Sequence, residues 1–332
     1  MDRTRIAVVG AGHLGTYHLE KLAGDENAHL VGVVDTDPDR LAVAQRKHGI
    51  PGVHALGDLA QPVDAVIIAT PTQTHLELAL QAFSLGCDAL VEKPIAATVS
   101  QAEHMVAVAR RSGRILQVGQ TERFNPAVAA GLAVVNQPRY IVSERLGPFS
   151  GRSTDVDVVL DLMIHDLDIV ASVVDSELDE VRAVGVPVLT PEIDMAAARL
   201  AFADGTVAQL CAGRASLEAS RKMRFFTMER YVSIDCVTGE AKSVRRLPPS
   251  PGSTWPQVCG ETLDVRPDDA LGAQDRDFVI CVRTRKTPRV DGRAGLRALM
   301  LAEAVNAAIT TPLSPGSAID AVGLDPATRW GV

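Results

Sequence analysis

The stretch RIAVVGAGHLGTYH, residues 5–18, decides the fold. An apolar, β-branched run breaks at Gly10-x-Gly12-x-x-Gly15 and continues as a helical pattern. Glycines at this spacing between a strand and a helix fit a turn that cradles a pyrophosphate. Gly10 permits the tight turn, Gly12 lets the backbone approach the phosphates, and Gly15 lets helix and strand pack closely. The free N–H groups at the helix start favour negative charge there. His13 and Leu14, inside the motif, are read as cofactor contacts with the glycines. Asp35 lies 20 residues beyond Gly15, at the end of the next apolar run, HLVGVVD. An acidic residue there accepts from both ribose hydroxyls and repels a 2′-phosphate, which favours NAD over NADP. Arg40, five residues on, bears on that preference but reads as a solvated helix residue.

Working outward, strands and helices alternate through residue 121. The helix PDRLAVAQRKHG starts at Pro38 and ends at Gly49; VDAVIIAT, DALVEKP and ILQVGQ are further strands, with helical patterns between them. Strands this apolar, joined by helices, imply a parallel sheet covered on both faces. The expectation is an α/β Rossmann domain, doubly wound, over residues 1–121. Beyond it the strand signals lengthen: RYIVSERLGPF, EVRAVGVPVL, a hairpin turning at Asp204-Gly205, RKMRFFTMERYVSIDCV and EAKSVRRLPPS. A helix, VLDLMIHDLDIVASVV, interrupts them, LPPSPGSTWPQ reads as a loop, and AGLRALMLAEAVNAAIT is a closing helix. Residues 122–332 are therefore expected to form an α+β domain with an open, mainly antiparallel sheet. The helix near 293–310 is placed to pack back on the first domain.

Bulk properties agree. A chain of 332 residues fits about two domains. A net charge of −8 disfavours nucleic acid and membrane surfaces as partners. No apolar run approaches the ~20 residues of a membrane helix, and MDRTRIAVVGAG lacks the layout of a signal peptide, so a cytoplasmic protein is expected. The five cysteines are scattered without a CxxC pair, which fits reduced thiols rather than disulfides or a zinc site.

Strand ends in such a sheet face the ligand. The third main strand ends in ATPTQTH, which makes Thr70, Pro71 and Thr72 cofactor candidates; Thr72 or Thr74 equally suits a helix N-cap. His75 reads either as a cofactor contact or as a capping-region histidine. The fourth ends in LVEKP, where Glu92 and Lys93 follow a buried run and Pro94 stops it. Both are expected to face the crevice, with the ammonium placed to hold a substrate hydroxyl. In DLMIHDLD, Asp161 and His165 are spaced i, i+4 and share a helix face, with Asp168 three residues on. A histidine beside a carboxylate suits proton transfer near neutral pH. The same three side chains are also compatible with a cation, although no metal is expected.

The set GAGHLG, Asp35, ATPTQTH, EKP and LDLMIHDLD resembles the Gfo/Idh/MocA family, named for glucose–fructose oxidoreductase and inositol dehydrogenase. The likeness runs in order along nearly the whole chain, to VDGRAGLRALMLAEAVNAAI. It implies a Rossmann domain, a second domain with a large open sheet, NAD(P) binding, and a homodimer or homotetramer formed through the sheets. Carried over residue by residue, it implies that Lys93 and His165 flank the reacting carbinol. His165 would be the general base, Lys93 would orient the oxygen, and Asp161 would position the hydroxyl or the imidazole. In some members the lysine is the base.

Arg123, Arg145 and Arg152 are cations near the second motif. Arg123 and the Gly-flanked Arg152-Ser153-Thr154 loop are read as sites for an anionic part of the substrate such as a diphosphate. ERFNP followed by RLGPFSGRSTDVDVVLDLMIHD resembles the branch of UDP-N-acetylglucosamine 3-dehydrogenases that serves lipid A diamino-sugar synthesis. The expected activity is NAD-dependent oxidation of a secondary alcohol on a sugar, cyclitol or nucleotide sugar. An NAD-dependent glycosidase of the same fold and a non-enzymatic NAD-binding regulator are the rival readings.

Overall fold

The computed structural model describes residues 3–151 and 156–310. The first sheet holds β1 (Thr4–Val9), β2 (Ala28–Val34), β3 (Gly52–Val53), β4 (Ala65–Ile68), β5 (Asp88–Glu92) and β6 (Leu116–Gly119). All pairings are parallel, in the order β3-β2-β1-β4-β5-β6. The helices between them are α1 (His13–Ala23), α2 (Pro38–His48), α3 (His75–Ser84) and α4 (Val99–Arg111). β4 and β5 are buried at every position, as a sheet covered on both faces requires. α2 begins where the sequence placed it: the Asp37 carboxylate accepts from the backbone N–H groups of Asp39 and Arg40, Pro38 opens the first turn, and Gly49 ends the helix at φ +67°. The order of strand addition reverses between β1 and β4, so the crevice outside their carboxyl ends is the switch point where such sheets take ligands.

After α5 (Pro126–Leu132), the second sheet is built from β7 (Tyr140–Leu146), β8 (Leu178–Val186), β9 (Met195–Phe202), β10 (Val207–Gly213), β11 (Ser220–Phe226), β12 (Arg230–Asp235), β13 (Glu240–Pro249) and β14 (Pro256–Thr262). Its order is β14-β13-β12-β11-β7-β10-β9-β8, antiparallel except for β7 beside β10. Alternation sets its faces: Ala196, Ala198, Leu200 and Phe202 of β9 point into the core with Met163, Leu167 and Val170. Residues 159–163 form one π-helical turn, which runs directly into α6 (Ile164–Val173).

Two elements escaped the sequence reading. α7 (Ala270–Thr284) buries Gln274 and Asp275 beside Phe278 and Val279, so its inward face is partly polar and breaks the apolar periodicity. The expected loop LPPSPGSTWPQ is a loop only from Ser250 to Trp255: β13 runs through Pro249, β14, which the sequence reading missed, starts at Pro256, and the two prolines pair. Proline is tolerated there because β14 is the sheet edge.

α8 (Gly292–Thr310) joins the units. Leu299 is buried in the core of the first sheet, while Ala298, Leu301, Ala302 and Val305 belong to the core of the second. Among the described residues no helix is long and apolar enough to cross a membrane.

Candidate active site

The glycine turn has the shape its sequence requires. Gly10 adopts φ +97°, and a Cβ on Gly15 would lie 1.8 Å from the Gly10 carbonyl oxygen, so neither position accepts a side chain. A Cβ on Gly12 would meet only Arg40 Nη1, at 3.8 Å, which leaves that side of the turn open for phosphates. His13 and Leu14 are exposed at the start of α1, beside this opening. Asp35 is half-buried at the end of β2 and steadies the turn: it accepts from the Ala11 N–H at 2.6 Å and from the Asp37 N–H at 2.9 Å. Each oxygen keeps a lone pair for a ribose hydroxyl. Arg40 is exposed and paired with Asp37 at 3.3 Å. An open glycine turn with a carboxylate beside it fits a dinucleotide.

Thr70, Pro71 and Thr72 follow β4 at the carboxyl edge of the sheet. The Thr70 and Thr74 hydroxyls are 2.8 Å apart, and Thr74 also donates to the Pro71 carbonyl rather than capping α3. His75 does not offer its ring to the crevice. It is buried, with Nδ1 3.0 Å from the Pro94 carbonyl and Nε2 2.9 Å from the Thr70 carbonyl, and so ties two strand ends together. Burial lowers its pKa, against the pull of those two carbonyls.

Glu92 also departs from expectation. Its side chain turns inward instead of facing the crevice. One carboxylate oxygen lies 3.1 Å from His18 Nε2, and the other accepts from the Lys93 N–H at 3.2 Å. Nδ1 of the same imidazole is 2.9 Å from Asp275 of α7. Burial by itself would lower the His18 pKa, but Asp275 and then Glu92 push it up to about 10. The physical reason for the inward turn is this buried cation: Glu92 finds a full charge partner in the core. The imidazolium thereby links the helix after the glycine turn, the strand end before Lys93, and α7. Neither His18 nor Asp275 stood out in the sequence: His18 lies in an ordinary helical pattern, and Asp275 lies in the helix whose apolar periodicity it helps to break.

Lys93 reaches the other sheet's helix. Its ammonium donates to the Asp161 carbonyl at 2.7 Å and to Asp161 Oδ1 at 3.0 Å. Asp157 starts that helix by accepting from the Val159 and Leu160 N–H groups, and Asn306 of α8 donates to it at 3.1 Å. His165 stands one turn beyond Asp161, but its partner is a residue that the sequence reading passed over. The side-chain oxygen of Gln120, directly after β6, lies 2.9 Å from His165 Nδ1. With an amide oxygen as acceptor, the ring carries its proton on Nδ1 and leaves Nε2 as a lone pair. Burial, then the positive charges of Lys93, Arg145 and Arg221, hold the His165 pKa well below the usual histidine value, so the ring is neutral at neutral pH.

The carboxylates and arginines around this helix form pairs. Arg145 is buried between Glu122, at 2.8 Å, and Asp166, at 2.7 Å. Arg123, expected to face an anionic substrate, is instead committed to buried Asp168 at 3.4 Å. Asp168 therefore does not orient His165, and burial pushes its pKa up to about 7 despite Arg123. Arg152, Ser153 and Thr154 lie outside the described residues.

Comparison with known proteins places the chain. Residues 4–120 match the model of the GFO_IDH_MocA group, described as an oxidoreductase family with an NAD-binding Rossmann fold. The chain is 38% identical over 317 residues to the UDP-N-acetylglucosamine 3-dehydrogenase of Acidithiobacillus ferrooxidans, covering 93% of this chain and 98% of that one. It is 28% identical over 313 residues to the scyllo-inositol 2-dehydrogenase (NAD(+)) of Bacillus subtilis, covering 87% and 89%. A solved structure of the Acidithiobacillus ferrooxidans enzyme superimposes with a TM-score of 0.86 at 36% identity, over 93% of this chain and 98% of that one. An NAD-binding Rossmann unit followed by a matching second sheet, with such similarity over nearly the whole length, establishes that the chain belongs to the Gfo/Idh/MocA family of oxidoreductases.

Proposed function

We propose that the protein is an NAD-dependent dehydrogenase of a nucleotide sugar, UDP-N-acetylglucosamine oxidised at position 3, and that Lys93, Asp161 and His165 form its catalytic set. The observation that carries this reading is the meeting of Lys93, from the end of β5, with Asp161, one turn before His165. An ammonium and a neutral imidazole whose Nε2 has no partner among the described residues then border one crevice, beside the carboxyl edge of a dinucleotide-binding sheet. The relative from Acidithiobacillus ferrooxidans, similar over 93% of the chain, supports the choice of substrate. The relatives named as dehydrogenases favour this activity over a glycosidase or a non-enzymatic regulator.

Bound NAD supplies the hydride acceptor. Removing hydride from a carbinol carbon requires that the hydroxyl proton be taken up, and His165 Nε2 is the basic atom available for it. Lys93 donates to the carbinol oxygen and holds it in register, while Asp161 holds Lys93. Asp35 receives the ribose hydroxyls and selects NAD over NADP. The reading assigns cofactor binding to residues 1–121 and substrate binding to 122–332. It includes a homodimer or homotetramer, which the rings of Tyr140, Phe226 and Tyr231 support. They form a row across the open sheet, with centroids 5.6 and 5.0 Å apart.

The test is to incubate the protein and NAD with free sugars, inositols and UDP-sugars and to follow NADH absorbance. NADH should form with UDP-N-acetylglucosamine. Turnover of an inositol or a free sugar, with none of any UDP-sugar, would overturn the reading.

A further inference from the structure

Three cations bordering the His165 helix are matched by carboxylates. Lys93 faces Asp161 at 3.0 Å, Arg123 faces Asp168 at 3.4 Å, and Arg145 faces Glu122 and Asp166 at 2.8 and 2.7 Å. Arg221 is different. It lies directly opposite Arg145 in the antiparallel pairing of β11 with β7. Opposed residues of an antiparallel pair project from the same face with Cβ atoms about 4.5–5.5 Å apart, so Arg221 shares the face that carries the His165 helix. It is exposed, and its guanidinium makes no hydrogen bond or ion pair among the described residues. Its charge nevertheless reaches the site, helping to hold the Glu122 carboxyl low and to keep His165 neutral.

We propose that Arg221 is an anion-recognising residue of the substrate site, taking phosphate oxygens of the diphosphate in a nucleotide sugar. A guanidinium presents paired N–H donors that match phosphate in two parallel hydrogen bonds. Arg145 cannot do this, since two carboxylates already claim its donors. In a chain of net charge −8, an unmatched arginine beside the proton acceptor is a local attractor for a charged substrate. The inference rests on the nucleotide-sugar reading and gives that site the residue which separates a UDP-sugar from a free sugar.

UDP separates the two ideas, because its binding needs no turnover. Calorimetric titration of the NAD-loaded protein with UDP should show binding, weakened roughly tenfold to a hundredfold in Arg221→Ala and partly restored in Arg221→Lys. With UDP-N-acetylglucosamine the loss should fall on KM rather than kcat. Glucuronate, a carboxylate without phosphate, should not compete with UDP. Equal UDP affinity in wild type and Arg221→Ala would overturn the assignment. So would competition by glucuronate, or a fall in kcat at unchanged KM, which would mean that Arg221 acts on His165 instead. NADH formation by wild type from the UDP-sugar reports separately on the nucleotide-sugar reading.

Discussion

Gln120 holds His165 across the gap between the two sheets: Oε1 of the first lies 2.9 Å from Nδ1 of the second. The amide nitrogen of Gln120 is buried without a partner among the described residues, an arrangement that costs about 1–3 kcal/mol when a donor goes unsatisfied. That cost is borne on the residue that sets which ring nitrogen is bare. Gln120→Leu should lower kcat about tenfold or more, because the ring loses both its orientation and its tautomer preference. Gln120→Glu places a carboxylate against Nδ1 and should move the acid limb of kcat toward higher pH, since a negative partner favours the imidazolium. Profiles of kcat against pH for both variants decide it. An unmoved limb in the Glu variant, together with full activity in the Leu variant, would leave Gln120 without this role.

Lys93 and His165 act on one hydroxyl in the proposed reaction. Each alanine substitution should reduce kcat by about 10²–10⁴-fold with NAD still bound. The double variant should fall by less than the product of the two. Strict multiplicativity in single-turnover kinetics would show that they work independently.

His18 predicts a stability effect remote from chemistry. Its ring bridges buried Glu92 and Asp275, and removing one partner of a buried charged set typically costs about 3–5 kcal/mol. His18→Gln should lose stability of that order in denaturant unfolding. The pH dependence has a definite sign. The folded pKa is raised to about 10, so the wild-type contribution is complete below the unfolded histidine value and is lost as pH rises through about 10. Titrating wild type and His18→Gln in parallel should show the gap closing on the alkaline side; a constant gap would mean that the ring is not held as imidazolium.

In the proposed reading Asp35 carries cofactor choice. Asp35→Ser should weaken NAD about tenfold to a hundredfold and relieve the bias against NADP. The carboxylate also accepts from the Ala11 and Asp37 N–H groups, so some of the loss should appear as a looser glycine turn. Tighter binding of NADP than NAD by wild type would contradict the assignment.

The parallel sheet was legible in the sequence because its determinants are local. β1, the Gly10–Gly15 turn, Asp35 and the caps of α2 depend on backbone sterics, on apolar runs and on hydrogen bonds to near neighbours. Asp161 and His165 were legible for the same reason, since helical spacing alone puts them one turn apart. Partners from distant segments were decided only by the tertiary structure. Glu92 reads as facing the crevice beside Lys93 until α1 and α7 bring His18 and Asp275 beneath it. Lys93 then finds Asp161, 68 residues away, and His165 finds Gln120, 45 residues away. Charge pairing and tautomer choice depend on which groups share a low-dielectric space, and the packing of α6, α7 and α8 against the two sheets creates that space.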